Sequence, residues 1–584
     1  MLGNNMVDIV LLEIIKSYLS NTAAEMAKSF DRTAYQAIIT EVRDYGIGLF
    51  DKDFNMIAES VGLPPFSGTL APGISSSVEE IGVENLVEGD VGWNSWPYTN
   101  GSQVNDATIF SPIFHGSQLI GYSAAKAHQM DIGQKDPAYC IDTTDVYQEG
   151  LKMSGVRIVK GGKLDEEIVR IIRNNTRIPD RTMGDVHAQI SCVQYGVKRV
   201  KSLVEKYGVD VFNQSTSKII EYGEKLARSK LEKLPKGTWS AEDYLDTDVV
   251  TGEPVNMKVT ITINDNEFFV DYSGSDPQNS GTVNTPFAWS ASAANCVFKS
   301  FTTYDEPSNQ GHFKPVRVFA PEGSVFNPQP PAGVFLVWAG LHAFDLIRKA
   351  LIQSMPDKLP ACSGGDVFGM MFQGGFDKKT QYKEHYMHLN DHGVGLGAYK
   401  GSDGANAIVH DSIAGALNTP TEVNETQCPT LVKRWELVTD SGGAGQWRGG
   451  LAMLEEVVIL NPSKIAAISL RTHSPPWGFN SGKNGKPGMA RVYDKDKSLK
   501  MTISAGSHYV DADYSAICVS GGGGGWGDPL DREIKSIERD LEYEYISEKE
   551  AKEQYGIIIN SNTGKIDYKL TEENRKNIRL NNPK

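Results

Sequence analysis

Residues 89–150 constrain this chain more than any other stretch. They include GDVGWNSWPYTNGSQVNDATIFSPIF, HGSQLIGYSAAKAHQMDIGQ and TTDVYQEGL. Polar and acidic side chains (Asn94, Tyr98, Gln103, Asp106, His128, Asp131, Glu149) alternate there with short apolar runs of strand length. A surface loop does not need that order, and a packed core accepts so many polar groups only when they are partnered. A convergent polar pocket on a β-scaffold satisfies both constraints, so the stretch is predicted to carry an active site.

Around it the periodicity changes repeatedly. Apolar residues at helical spacing from Val7 to about Tyr45 predict two helices or one long bent one. GIGLFDKDFNMIAES predicts two strands with a turn at Asp51–Phe54, and the proline pair in Leu63–Gly68 reads as a break. The whole of 89–150 reads as hairpins, with FHGSQL a tight turn. Helices are predicted at Asp165–Asn174, Met183–Tyr207, Val211–Leu231, Pro286–Thr303 and Trp338–Gln353. VNMKVTITIN and NEFFVDYSG form a further hairpin, Leu451–Val519 is strand-rich, and the charged tail from Arg532 is helical.

The fold class expected is mixed α/β (α+β) and multi-domain: a β-rich catalytic core with helical segments and a charged helical C-terminal tail. The boundaries expected are 1–236 for an N-terminal α/β region carrying the pocket, 237–449 for a central mixed region, 450–530 for a β-rich region and 531–584 for the tail.

A net charge of −15 argues against nucleic acid or an anionic membrane as the main partner. The six cysteines are scattered with no C-x-x-C pair, which speaks against a zinc ribbon or redox motif and fits a reducing compartment. The N-terminal apolar run lacks a basic lead and a small-residue cleavage site, and no run of 18 apolar residues exists, so a cytoplasmic location is expected. No G-x-x-x-x-G-K-[ST] motif occurs, and the glycine run Gly521–Gly525 lacks the lysine of a phosphate loop, so it reads as a packed turn.

The order of several short motifs resembles the B-subunit half of the hydantoinase/oxoprolinase family, which also includes large subunits of ATP-dependent acetone and acetophenone carboxylases. The motifs are Asp31-Arg32-Thr33-Ala34, Gly89-Asp90-Val91, Pro97-Tyr98, Ala127-His128 with Asp131-Ile132-Gly133, and Gln148-Glu149-Gly150-Leu151. They continue with Asp271-Tyr272-Ser273-Gly274, Asp440-Ser441-Gly442-Gly443 with Arg448-Gly449-Gly450, and Gly521–Gly524 with Gly527-Asp528-Pro529. The resemblance covers nearly the whole chain. It implies a separate A-type subunit that uses ATP and Mg to phosphorylate the substrate or bicarbonate, hetero-oligomeric assembly, and a divalent metal, Zn or Mn, in the B-type subunit.

Carried over residue by residue, the implied metal ligands are Asp44, Gln103, Asp106 and His128. Carboxylates and an imidazole can hold a divalent cation with open positions, which polarise a carbonyl or acidify bound water. Asp131 is expected to orient the His128 ring, and Glu149 to act as general acid or base. Asn94, Trp96 and Tyr98 are the expected substrate contacts. The bland readings are a turn cap for Asp44, a turn aspartate for Asp106 and a hydrogen-bonded core histidine for His128.

Four departures from the family pattern fall around this one pocket. Gln103 stands where the family has histidine, and a neutral amide is a poorer ligand for a transition metal. Asn-Asp-Pro-Tyr is replaced by Asn94-Ser95-Trp96-Pro97-Tyr98, a family histidine position reads Phe66-Ser67, and Asp-Ile-Gly-Gly reads Asp131-Ile132-Gly133-Gln134. They imply an altered metal and substrate preference, or loss of the metal.

Elsewhere, His385, His388, Asp391 and His392 form the densest histidine cluster, read as structural or pocket-lining. Arg448 is expected to pair with a buried carboxylate. The function expected is a B-type subunit of an ATP-dependent hydrolase of hydantoin-, oxoproline- or lactam-like cyclic amides. The alternatives are an ATP-dependent ketone carboxylase subunit and a degenerate structural subunit.

Overall fold

The structure is a computed structural model that describes residues 8–60, 62–365, 369–389, 393–469 and 471–581. The chain divides into two compact units. Unit 1 comprises residues 1–243, 247–350 and 411–420, and unit 2 comprises 244–246, 351–410 and 421–584. The boundaries expected at 236, 449 and 530 do not coincide with this division. Instead, the hairpin and helices after residue 237 continue the N-terminal unit, and the β-rich region and tail pack together.

Unit 1 begins with helix α1 (Ile9–Thr33), capped by Asp8, which accepts from the Leu11 N–H at 2.7 Å. Its buried stripe, Ile15, Leu19, Ala23, Met26 and Phe30, follows the i, i+4 spacing seen in the sequence. A four-residue helix, α2 (Ala37–Thr40), leads into strands β1 (Tyr45–Asp51) and β2 (Met56–Glu59). The proline pair starts a helix instead of breaking one: α3 (Pro64–Ile81) carries proline in its first turn, where no backbone N–H is needed. Strand β3 (Val91–Asn94), a single turn α4 (Pro97–Asn100), and the hairpin β4 (Asp106–His115) and β5 (Gln118–His128) follow. Residues 129–150 form loops and one 3₁₀ turn instead of the hairpin expected there. Strands β6 (Val156–Lys160) and β7 (Lys163–Leu164) precede helices α5 (Glu166–Asn174), α6 (Pro179–Tyr207) and α7 (Val209–Leu231).

β1 to β7 form one antiparallel sheet in the order β2-β1-β5-β4-β3-β6-β7. Both of its faces are covered, so β4 and β5 are buried along almost their whole length. Alternate residues therefore meet different environments. Ser123, on one face, lies against Gly196 of α6, where a Cβ would come 2.3 Å from its hydroxyl oxygen. Gly46, opposite Lys126 on β5, lies under α3, where a Cβ would come 2.7 Å from that of Phe66. A second sheet, in the order β11-β10-β9-β8, follows from β8 (Gly237–Leu245), β9 (Val255–Ile263), β10 (Phe268–Asp271) and β11 (Val316–Phe319). Helices α8 (Phe287–Thr302) and α9 (Trp338–Leu351) complete the unit.

Unit 2 is built differently. Strands β12 (Gly369–Gly374), β13 (Tyr386–His388), β16 (Ser463–Ile468) and β19 (Ala505–Val510) form one sheet. Strands β14 (Thr430–Leu437), β15 (Met453–Ile459), β20 (Ser515–Val519), β17 (Met489–Tyr493) and β18 (Leu499–Ile503) form another. Met370, Phe372, Val457, Ile465, Val492 and Cys518 belong to one buried cluster.

Beside these sheets the glycine segments pack backbone on backbone. Gly523 donates to the Gly450 carbonyl at 2.9 Å and accepts from the Gly443 N–H at 2.8 Å. A Cβ on Gly523 would lie 1.9 Å from the Leu396 carbonyl oxygen. The run is thus a packed element, as the missing lysine predicts. The tail folds as α11 (Ile534–Glu542), α12 (Glu548–Glu553) and α13 (Tyr568–Asn581), which follow α10 (Thr421–Gln427) in chain order. Asp540 of α11, 1% exposed, takes the expected Arg448 at 3.7 Å and Arg532 at 2.7 Å. Of the histidine cluster, Asp391, His392 and the His388 side chain lie outside the described residues. His385 stacks on Phe376 with centroids 4.4 Å apart.

Candidate active site

Three of the four expected metal-site residues meet at one level of the first sheet. β4 and β5 pair Asp106 directly with His128, and the Asp44 carbonyl on the other side accepts from the His128 N–H at 3.1 Å. Residues directly opposite each other in an antiparallel pair project to the same face. Asp106 and His128 are each 1% exposed, and Asp106 Oδ1 lies 2.8 Å from His128 Nδ1. Asp106 Oδ2 accepts from the Ser102 hydroxyl and, at 3.2 Å, from the Gln103 N–H. The αL turn at Gly101 (φ 76°), which ends α4, brings both donors under the carboxylate.

These partners bear on the metal. Among the described residues no three His, Cys, Asp or Glu side chains form a group that could hold an ion. Both Asp106 oxygens are engaged, one of them by the imidazole nitrogen. Gln103, where the family pattern has histidine, serves the site through its backbone. Among the described residues Asp106 and His128 pair with each other, and Gln103 contributes its backbone N–H. The Asp106 carboxylate at Nδ1 orients the imidazole.

Glu149 is the second chemical group. It is fully buried, and its Oε1 accepts from the Val334 N–H (2.9 Å), the Phe335 N–H (3.1 Å) and the Thr143 hydroxyl (3.2 Å). Its Oε2 is buried with no hydrogen-bond partner among the described residues. Burial pushes its pKa up to about 8, against the opposing pull of those donors, so it is predominantly a neutral acid at pH 7. Gly333 lets the 333–335 backbone reach it, since a Cβ there would lie 3.0 Å from Oε1. Close by in the chain, Val337, a β-branched residue, is held at φ 45°, a costly conformation typical of over-determined sites. Glu149 and His128 share this segment: the Phe335 ring lies 6.3 Å from the imidazole, and Tyr139 stacks on the imidazole at 5.9 Å.

The remaining expected residues have other partners. Among the described residues Asp131 takes partners other than the imidazole. Its carboxylate takes Arg177 at 2.6 Å, the Thr176 hydroxyl and the Gly133 N–H, so it is a buried structural ion pair; the ring's carboxylate is Asp106. Asn94 is saturated by the Gly73 carbonyl, Ser76, Thr99 and the Trp96 N–H, so it clamps α3 to β3 and is not available to a substrate. Trp96 and Tyr98 pack into a small apolar cluster with Val104, Ile132 and Val146. The Tyr98 hydroxyl donates to the Ala332 carbonyl at 2.5 Å. Gln134 is also local, bridging the Ile132 N–H and the Met130 carbonyl.

Sequence reasoning missed Lys126. It is wholly buried, and donates to the Thr69 hydroxyl at 2.7 Å and the Asn100 carbonyl at 2.6 Å. Desolvation lowers its pKa to about 7, partly countered by nearby Asp106. Its signal was present: a lysine two residues before His128 on a strand must share its face. Tyr139 and Phe335 had no comparable signal, because only the tertiary fold brings them to the imidazole.

The site is thus a two-face-buried antiparallel sheet carrying an oriented imidazole, with a buried glutamic acid on a neighbouring segment. It has no phosphate-loop motif. The chain belongs to the Hydantoinase B/oxoprolinase family, whose profile matches residues 8–529. It is 28% identical over 586 residues to the caprolactamase subunit beta of Pseudomonas jessenii, covering 98% of this chain and 99% of that protein. The crystal structure of the ATP-dependent caprolactamase from Pseudomonas jessenii superposes with a TM-score of 0.90 at 26% identity, covering 98% of this chain and all of that one. A nucleotide-free acetone carboxylase shares the fold at 17% identity, with a TM-score of 0.88 over 98% of this chain and 83% of its own. No helix among the described residues is long and apolar enough to cross a membrane.

Proposed function

We propose that this chain is the B-type subunit of an ATP-dependent cyclic-amide hydrolase. It opens a hydantoin-, oxoproline- or lactam-like ring that a separate A-type subunit has activated by phosphorylation. The buried Asp106–His128 pair, with neutral Glu149 sharing the Phe335 segment, carries the reading. The name of the caprolactamase relative, a subunit beta, supports a partner subunit. Asp106 orients the ring so that His128 Nε2 takes a proton from the attacking water. The water oxygen bonds to the activated carbon, the ring C–N bond breaks to leave an acyl phosphate, Glu149 and the protonated His128 supply the protons with which the nitrogen leaves, and a second water then releases inorganic phosphate and the carboxylate.

The test is reconstitution of this chain with an A-type partner and assay of ring opening with and without ATP and bicarbonate. Ring opening that needs ATP and both subunits but no bicarbonate is expected. Bicarbonate-dependent consumption of a ketone would replace this reading with the carboxylase one. An intact pair inactive on both substrate classes would leave a structural role.

A further inference from the structure

Asn284, fully buried just before helix α8, stands between its own loop and the 333–340 segment that serves Glu149. Its side-chain NH₂ donates to the Gly333 carbonyl at 2.8 Å and the Gly281 carbonyl at 3.0 Å, with the Asn279 carbonyl at 3.2 Å. Its Oδ1 accepts from the Asn279 N–H at 2.7 Å. Both amide hydrogens and the oxygen are therefore in use. Neighbouring bonds tie the same two segments. The Leu336 N–H donates to the Thr282 carbonyl at 2.9 Å, and the Gly340 N–H to the Thr285 hydroxyl at 2.8 Å.

The Gly333 carbonyl matters because it shares one planar peptide with the Val334 N–H. In a trans peptide the two groups point in opposite directions. A grip on the carbonyl therefore aims the N–H, which reaches Glu149 Oε1 at 2.9 Å. The Phe335 N–H reaches the same oxygen at 3.1 Å, and the Phe335 ring lies against His128. We propose that Asn284 is a positioning residue: through the 333–334 peptide it holds the backbone donors on the Glu149 carboxyl and the Phe335 ring on the imidazole. Its consequence for catalysis rests on the ring-opening reading, whereas its hold on the Glu149 donors does not.

The experiment follows Glu149 without any activity assay. Stability of the full-length chain is compared with that of Glu149→Gln from about pH 5 to about pH 10, in the parent and in the Asn284→Ala background. In each background the difference between the two curves grows as pH rises and levels off at the folded pKa of Glu149, about 8 in the parent. Lys152, Cys140 and Tyr98 also face Glu149 and are common to all four proteins. The backbone donors favour the ionised carboxyl, so their loss raises its pKa. Levelling about one pH unit or more higher is expected in Asn284→Ala. An asparagine that merely closes its own loop would lower stability at every pH and leave the levelling point in place. That result, or a downward shift, overturns the proposal. If the alanine variant does not fold, Asn284→Ser, which leaves a hydroxyl near the Asn279 N–H, is read the same way. Hydrogen exchange at the Val334 and Phe335 amides should also quicken in the folded variant while that of β4 and β5 is unchanged; unaltered exchange at 334 and 335 overturns the proposal too. In the reconstituted pair, kcat should fall about tenfold or more with KM little changed. A pair in which even the parent opens no ring counts against the ring-opening reading, and the levelling point still decides the role of Asn284.

Discussion

The sheet face of unit 1 and the glycine layer of unit 2 both bury many polar atoms, by opposite means. In unit 1 the polar atoms belong to side chains, many of them matched by another side chain or a nearby backbone group, as in Ser102–Asp106–His128. In unit 2 they belong to the backbone, and glycines allow carbonyl and N–H groups of separate segments to meet directly. The first arrangement places titratable groups where they can exchange protons. The second presents no such group and is a structural solution. Glycine richness alone therefore says little about phosphate binding; what matters is whether the N–H groups are left open or already paired.

The comparison breaks most readily at Gly523. Gly523→Ala is expected to destabilise unit 2 by more than about 4 kcal/mol, because the clash is with backbone that cannot rotate away. Chemical denaturation would show it, and a near-normal midpoint would mean the glycine layer is looser than described.

At the other pole, His128→Asn keeps a donor for Asp106 but removes the proton acceptor. Ring opening by the reconstituted pair should drop about 10²–10⁴-fold with the melting temperature nearly unchanged. Retained activity would sink the imidazole's catalytic role.

Glu149→Gln sharpens the contrast through pH. The folded pKa of about 8 lies above the unfolded value near 4.5, so the folded state holds the extra proton. The cost of the buried carboxyl is absent below about pH 4.5, grows as pH rises, and is complete above about 8. The variant lacks it, so its stability relative to the parent should increase from pH 5 to 8, by at most about 4–5 kcal/mol. Parallel stability curves for the two proteins would contradict a raised pKa.

The smallest effect concerns Gln103. Gln103→His restores the family donor, and zinc affinity is expected to rise about tenfold or more, read by competition with a chromogenic chelator. Unchanged affinity would show that position 103 does not limit metal binding.

Much of unit 1 was legible because its elements follow local rules. The α1 stripe, the β1–β2 turn and the β4–β5 hairpin all fall where spacing and turn residues place them. The proline pair was misread because proline ends one helix and begins another with equal ease, and the local sequence does not say which. In the site, the resemblance pointed to Asp106 and His128, but not to their being each other's partners. Asp131 was assigned to the His128 ring because its partner, Arg177, is 46 residues away and joins it only through the loop after α5. The division into units was hidden for the same reason, since residues 411–420 return to unit 1 after a long excursion.

By itself the sequence determined the family and the mixed α/β class, because motif order and hydrophobic period are properties of the chain. The tertiary structure alone decided that burial raises the Glu149 pKa, that Lys126 stands beside Asp106, and that Asn94 and Asp131 take their partners from α3 and Arg177. Protonation and hydrogen-bond saturation depend on desolvation and on partners from distant segments, and neither exists until the chain has folded.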